Sequence, residues 1–425
     1  MLGRIRPPWL GRDLSLLFAQ RGLRSFSQGY LNVVVPIYLS RLGFGPIELG
    51  FLFTASAVSS AVLTAAIGVL SDRYGRKLFL ILLALLTSLG GLVFSLSTSF
   101  PVLLAAAAVS TLGRGGGAGS GGAWGPYYPA EQALIAEQVS QRDRTAVFSA
   151  ISFVGVLTGA VGSLAALLPA ILQYLFGLSL IQGDRVLFVL TVGLGIAMAL
   201  AVLPVRERVA PGSLPLRLTG RWVPLSPRTR DLLLRFSATN LTNGLAIGLL
   251  GPFLVYWFHR RYDVGAAELG VLFFVVNLAT APSYLIAARL DRLLGAVNAV
   301  VATRAISVVL LALLALMPTY PLAAAVYLAR MVAATLSVPI RQSYVMNIVD
   351  PRERASAAGL SSLPSQVAGS VSPALAGYAM HAISLSLPLE LAAFLQGINT
   401  LLYYLFFRGI QPLAEQEQGS DQRQR

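Results

Sequence analysis

The sequence has no cysteine, two histidines, a single lysine and few charged residues of any kind. Without cysteine there can be no disulfide and no thiolate metal site, and His259 and His381 alone cannot build a histidine-rich metal centre. Lys77 is the only lysine and no Gly-x-x-x-x-Gly-Lys-Ser/Thr occurs, so the common phosphate loop of nucleotide-driven machines is missing. No nucleophile, base and orienting group fall into a recognisable motif, so neither an enzyme nor a bound cofactor is expected. Charged residues make up 12% of the 425, where a soluble domain carries about 25%.

Apolar residues take their place, at 56% of the chain with a mean hydropathy of +0.71. The expected fold is therefore all-α, a polytopic membrane protein with the lipid bilayer as its main partner. Apolar windows of roughly 20 residues or more fall at 14–40, 47–70, 78–97, 101–139, 145–170, 184–204, 231–258, 265–288, 294–317, 320–349, 355–380 and 387–407. These are about twelve spans, arranged six and six. A formal net charge of +14 would suggest nucleic acid in a soluble domain. Here the arginines gather at the ends of apolar runs, so no nucleic-acid partner is expected.

Positive loops mark the cytoplasmic face. Arg73, Arg76, Lys77, Arg142, Arg144, Arg289, Arg292, Arg352 and Arg354 fall on one side, against Arg41, Arg185, Arg260 and Arg261 on the other. Both termini are thus expected in the cytoplasm, in a plasma or inner cell membrane, with the basic segment Met1–Arg12 leading into a retained anchor helix. The stretch 205–230 is rich in Arg and Pro and reads as a cytoplasmic linker between bundles over 1–204 and 231–410. The polar residues 411–425 read as a disordered tail, and the expected species is a monomer.

The two halves repeat each other. Pro129-Ala130-Glu131-Gln132 followed by Arg142-Asp143-Arg144 aligns without gaps on Pro339-Ile340-Arg341-Gln342 followed by Arg352-Glu353-Arg354. Glu48-Leu49-Gly50 recurs as Glu268-Leu269-Gly270, and Asp72-Arg73 as Asp291-Arg292 at nearly the same offset. Parallel repeats of this kind are related by an axis along the membrane normal.

The loop between spans two and three reads Gly68-x-Leu70-x-Asp72-Arg73-x-Gly75-Arg76-Lys77. With the six-plus-six arrangement, the long basic central loop and the repeat, this stretch resembles the major facilitator superfamily along essentially the whole chain. The resemblance implies a secondary transporter working by alternating access. It also implies that Asp72, Arg73 and Arg76 form a charge relay latching the halves in one conformation, so Gly68, Asp72, Arg73, Gly75, Arg76 and Lys77 are expected to gate. The second copy at Asp291 and Arg292 lacks the closing basic pair. In span five, Gly155-x-x-x-Gly159-Ala160-x-Gly162-Ser163 is similar to the antiporter signature, with Ala160 where that signature has proline. Tight helix packing through small residues is the alternative reading of the same glycines. Arg114 resembles the family's membrane-embedded arginine.

Span one carries Arg21, Arg24, Gln28 and Asn32 at helical spacing, a polar stripe that implies a wet cavity. An intramembrane charge costs about 2.5 to 3.5 kcal/mol and seeks a partner. Glu131, roughly 13 Å deep in span four, is the expected one, and its repeat-mate is Arg341. Either Glu131 exchanges a proton or a salt-bridge partner while Arg21, Arg24 and Arg341 hold an anionic substrate or release Glu131 upon binding, with a proton or other coupling ion as partner, or these groups form a permanent structural network. Asn240, Asn243, Asn277, Tyr284, Gln342 and Gln366 add neutral polar groups in the second half, each readable also as helix glue. The glycine run over 115–126 predicts either a broken membrane helix or an outer loop with the helix beginning near Trp124.

The expected function is proton-coupled efflux of a small organic substrate. The alternatives are an organic-anion carrier using Arg21, Arg24 and Arg341, or a membrane ligand sensor or assembly partner that does not transport.

Overall fold

The computed structural model describes residues 9–110, 112, 125–140, 143–207, 226–348 and 354–410, with side chains at all of these except 69, 72, 145, 228, 284, 285, 288, 346, 347 and 354–360. Helices account for nearly all of it. The first series is α1 (Arg12–Arg41), α2 (Pro46–Tyr74), α3 (Arg76–Leu96), α4 (Phe100–Val109), α5 (Tyr127–Gln138), α6 (Arg144–Leu164), α7 (Leu168–Phe176) and α8 (Leu180–Val202). The second is α9 (Pro227–Leu250), α10 (Phe253–Tyr262), α11 (Ala266–Thr280), α12 (Ser283–Leu294), α13 (Ala296–Leu316), α14 (Tyr320–Ile348), α15 (Arg354–Ala382) and α16 (Leu387–Phe407).

Each expected span coincides with a helix or a consecutive pair. Among the described residues, seven helices are long and apolar enough to cross a membrane, and α9 with α10, bent by 41°, makes an eighth. The other four spans fall short for identifiable reasons. α1 carries Arg12, Asp13, Arg21, Arg24 and Arg41, and α15 is rich in Ser and Gly. α11 and α12 are separated by a break at Ala281-Pro282. α4 and α5 are short helices flanking 113–124, which lie outside the described residues, as does Arg114. The expected choice between broken helix and outer loop therefore falls outside them too, although α5 begins at Tyr127, directly after Gly125 at φ +90°. Large apolar side chains such as Leu85, Phe153, Leu200 and Phe394 stay exposed along the helices, as a lipid-facing surface requires.

Local sequence sets the helix ends. Gly45 N–H donates to Glu48 Oε2 at 3.0 Å at the start of α2, and Gly265 N–H donates to Glu268 Oε2 at 2.9 Å at the start of α11. The recurring Glu-Leu-Gly triplet is thus a recurring cap. In both halves a glycine follows that glutamate by 27 residues and turns the chain, Gly75 at φ +100° and Gly295 at φ +73°. On these glycines, Asp291 aligns with Ser71 and Arg292 with Asp72, because Gly75 N–H and Gly295 N–H close the preceding helices onto Ser71 O (3.0 Å) and Asp291 O (2.8 Å). The second Asp-Arg pair is therefore displaced by one residue, 100° around its helix.

Contacts divide the chain into two units, Met1–Thr219 with Gly251–Leu278, and Gly220–Leu250 with Ala279–Arg425. In the first, α1 lies directly on α6. A Cβ at Gly29 would stand 2.3 Å from Gly159 O, and one at Gly162 would stand 2.1 Å from Phe26 O. The glycines of the antiporter-like stretch do serve close helix packing. In the second unit α9 meets α15 in the same manner, where a Cβ at Gly244 would stand 2.3 Å from Ser365 O and one at Gly248 2.6 Å from Gly369 O.

Candidate functional site

In α1, Arg21 and Arg24 lie one turn apart on a single face. α5 presents Glu131 to that face. Arg21 Nη1 donates to Glu131 Oε2 at 2.7 Å and Arg24 Nη2 donates to the same oxygen at 2.9 Å, with all three side chains at most 2% exposed. Tyr127, one turn before Glu131, lays its ring under the Arg24 guanidinium, 4.6 Å from centroid to Cζ. Its hydroxyl is paired at 3.0 Å with Thr87 Oγ1 of α3, which fixes the ring. Gln20 is fully buried beside this group in sequence, and neither of its amide atoms has a partner among the described residues; nor does Glu131 Oε1. The pairing expected from sequence is therefore present, with one carboxylate shared by two cations. Gln28 and Asn32 continue the stripe half-buried.

Among the described residues of this unit, two further ion pairs join elements whose pairing the sequence did not suggest. Arg41 Nη1 donates to the fully buried Asp184 Oδ2 at 2.6 Å, joining the far end of α1 to α8. Arg76 pairs with Glu137 at the end of α5 and also donates to Ala133 O at 3.4 Å. In the loop, Lys77 bonds to Glu207 through its backbone N–H and to Leu203 O through Nζ. Arg73 is exposed over the Tyr74 ring at 5.2 Å, Gly68 is exposed, and the Asp72 side chain lies outside the description. Glu137, one partner of Arg76, belongs to the same unit.

The second unit gathers a different set. Arg341 Nη1 of α14 donates to Asn240 Oδ1 of α9 at 2.8 Å, and Asn240 Nδ2 donates to Ser361 O at 2.7 Å. Arg304 of α13 donates to Asn399 of α16, and its guanidinium stands 5.8 Å from the Tyr403 ring centroid. Asn399 Nδ2 in turn donates to Thr239 O and, at 3.0 Å, to Thr242 Oγ1 of α9. Arg304, Asn399 and Tyr403 did not stand out in the sequence, because one arginine or one asparagine within a long apolar helix looks incidental. Asn243 is half-buried, Gln342 is exposed, and Gln366 is exposed with a 3.5 Å contact to Ser362 Oγ. Asn277, which belongs to the first unit, donates through Nδ2 to Phe273 O of its own helix at 2.9 Å, and the Tyr284 side chain lies outside the description. Asp291 and Arg292 close α12, half-buried and exposed respectively.

The sequence model of the Major Facilitator Superfamily matches residues 17–239 and again 236–425. The chain belongs to the major facilitator superfamily. As a member it is an integral membrane transporter with a small-molecule substrate, not an enzyme. Solved structures agree on the fold of this superfamily member. A variant of the nucleoside transporter NupG covers 93% of this chain and all of its own at a TM-score of 0.72 and 12% identity. A bacterial homolog of the human lysosomal transporter Spinster, inward-facing and unoccupied, covers 95% of this chain and 98% of its own at a TM-score of 0.70 and 16% identity.

Among relatives by sequence, an uncharacterized membrane protein of Saccharomyces cerevisiae is 22% identical over 396 residues, 86% of this chain and 87% of the other. The multidrug resistance protein MdtG of Dickeya zeae is 29% identical over 246 residues, 55% of this chain and 54% of its own. The quinolone resistance protein NorA of Staphylococcus aureus is 26% identical over 106 residues, 25% of this chain and 27% of its own.

Proposed function

We propose that this transporter couples the movement of protons to efflux of a small organic compound across a cell membrane. As a monomer with both termini in the cytoplasm, it works by alternating access of two six-helix bundles over 1–204 and 231–410. The observation that carries the reading is the buried Arg21-Glu131-Arg24 group. A proton delivered to the unpartnered Glu131 Oε1 removes the negative charge that both arginines bond through Oε2, so the two guanidiniums lose their shared counter-charge in a medium where an unpartnered charge is costly. Protonation and helix movement are thereby linked through one carboxyl group. Relatives named for multidrug and quinolone resistance support the direction and the breadth of substrate.

The test is flux of a quinolone in proteoliposomes under an imposed pH gradient. Wild-type protein should move it only while the gradient lasts, and Glu131→Gln should slow it at least tenfold. Wild-type rates from both Glu131→Gln and Arg24→Ala would overturn the coupling. No quinolone flux under any gradient would overturn a quinolone-like substrate.

A further inference from the structure

We infer that Arg304, Arg341 and Tyr403 form an oxyanion-binding subsite inside the second unit, built to take a carboxylate, phosphate or sulfonate group of the transported compound. Taking the occupant to be part of the substrate rests on the transport reading above; the existence of the subsite does not.

Each guanidinium has five N–H donors. In the structure Arg304 and Arg341 each give a hydrogen bond to one amide oxygen, of Asn399 and Asn240, and neither has a carboxylate partner among the described residues. Both amides meet α9 at adjacent residues, Asn240 belonging to it and Asn399 bonding Thr239 O, while the Arg304 guanidinium stands 5.8 Å from the Tyr403 ring and the Tyr344 ring, one turn from Arg341, stands 6.4 Å from it, which gathers the three groups at one locus. Tyr403 is 1% exposed, and its hydroxyl has no hydrogen-bond partner among the described residues. A buried phenol with an idle O–H beside two like charges lacks an acceptor. An oxyanion supplies what is missing, with lone pairs for the guanidinium forks and for the O–H and a charge opposite to the surplus.

The asparagines hold the arginines without neutralising them. Asn240 is fixed by Ser361 O and Asn399 by Thr239 and Thr242, so each amide presents its oxygen in one orientation. The acidic side chains described in this unit are placed elsewhere. Asp231 is exposed and paired at 2.8 Å with Arg235, Asp291 closes α12, and Glu390 lies in the first turn of α16, more than two turns from Asn399. Tyr403 joins Phe236, Tyr344 and Phe407 in an apolar cluster, which buries its hydroxyl.

A lipid phosphate shares this chemistry, so the experiment separates the two sources. The full chain in phosphatidylcholine nanodiscs is melted with inorganic phosphate, benzoate or phenyl phosphate against chloride at equal ionic strength. The set is repeated in nanodiscs containing phosphatidylglycerol. At least one oxyanion probe should raise Tm by several degrees in the neutral nanodiscs, and Arg304→Gln with Arg341→Gln should abolish the shift. Tyr403→Phe, which keeps both charges, should weaken the probe several-fold and carries the test if the double variant fails to fold.

No difference between wild type and these variants for any probe overturns the subsite. Stabilisation confined to phosphatidylglycerol nanodiscs, and lost in the variants, overturns the substrate as occupant in favour of a headgroup. Quinolone flux reads the other proposal separately: flux without anion stabilisation removes only the subsite, and anion stabilisation without flux removes only the quinolone-like substrate.

Discussion

The two units solve the same problem in opposite ways. Around α1 and α5 the first unit has a closed electrostatic circuit, in which Glu131 sits between Arg21 and Arg24. In the second, at the repeat-related helices α9 and α14, Asn240 stands in place of the arginine pair and Arg341 in place of the carboxylate, with Arg304 added from α13. The helices and their glycine-mediated packing are duplicated, whereas the charges are not. A fold can therefore repeat faithfully while its electrostatics divide into one cluster joined by a shared carboxylate and one that awaits a counter-charge.

That contrast breaks or survives on measurements. The largest effect is expected at Glu131. Glu131→Gln leaves two buried arginines sharing a neutral amide and should cost about 3 to 5 kcal/mol, the usual result of removing one partner from a buried pair. A urea or thermal unfolding series reads it. Asp184→Asn should follow the same logic at the other end of α1, with a smaller loss because Arg41 is partly exposed and can turn to water.

Next come the paired glycines. Gly162→Ala in the first unit and Gly244→Ala in the second should each destabilise by about 1 to 3 kcal/mol through overpacking, while Gly22→Ala, whose nearest atom would be 3.5 Å from the new Cβ, should be close to neutral. A large difference between Gly162→Ala and Gly244→Ala would mean that the two helix pairs are less alike than their geometry. Gly75→Ala and Gly295→Ala should each cost about 1 kcal/mol, as both hold positive φ.

The smallest effect sharpens the comparison most, because it has the opposite sign. Arg304→Gln removes a cation with no carboxylate partner, so thermal stability in neutral lipid should stay within about 1 kcal/mol of wild type or rise. A loss as large as that of Glu131→Gln would show that Arg304 is already compensated and would erase the distinction between the units.

Much of the first unit was legible in the sequence. Arg21 and Arg24 are visible because i, i+3 spacing on an apolar helix forces them onto one face, and Glu131 because it interrupts a long apolar run at a position where the repeat has a cation. Asp184 was not, since a charge at the edge of an apolar window reads as loop, and its partner Arg41 is 143 residues away. Arg304, Asn399 and Tyr403 come from α13 and α16, and only tertiary packing brings them to one locus. The displacement of Asp291 and Arg292 was hidden for a different reason. A matching dipeptide attracts an alignment, whereas the physical register is set by the glycine that ends the helix, and the two disagree by one residue.

α5 carries Glu131 and Glu137 on twelve residues of uninterrupted helix, one bonded to α1 and the other to Arg76 at the start of α3. The two carboxylates are roughly 9 Å apart along its axis. A helix this short does not bend to let one end travel alone. The buried Arg21-Glu131-Arg24 group and the loop at Arg76 are therefore tied to one short bar, so a displacement of either is carried to the other.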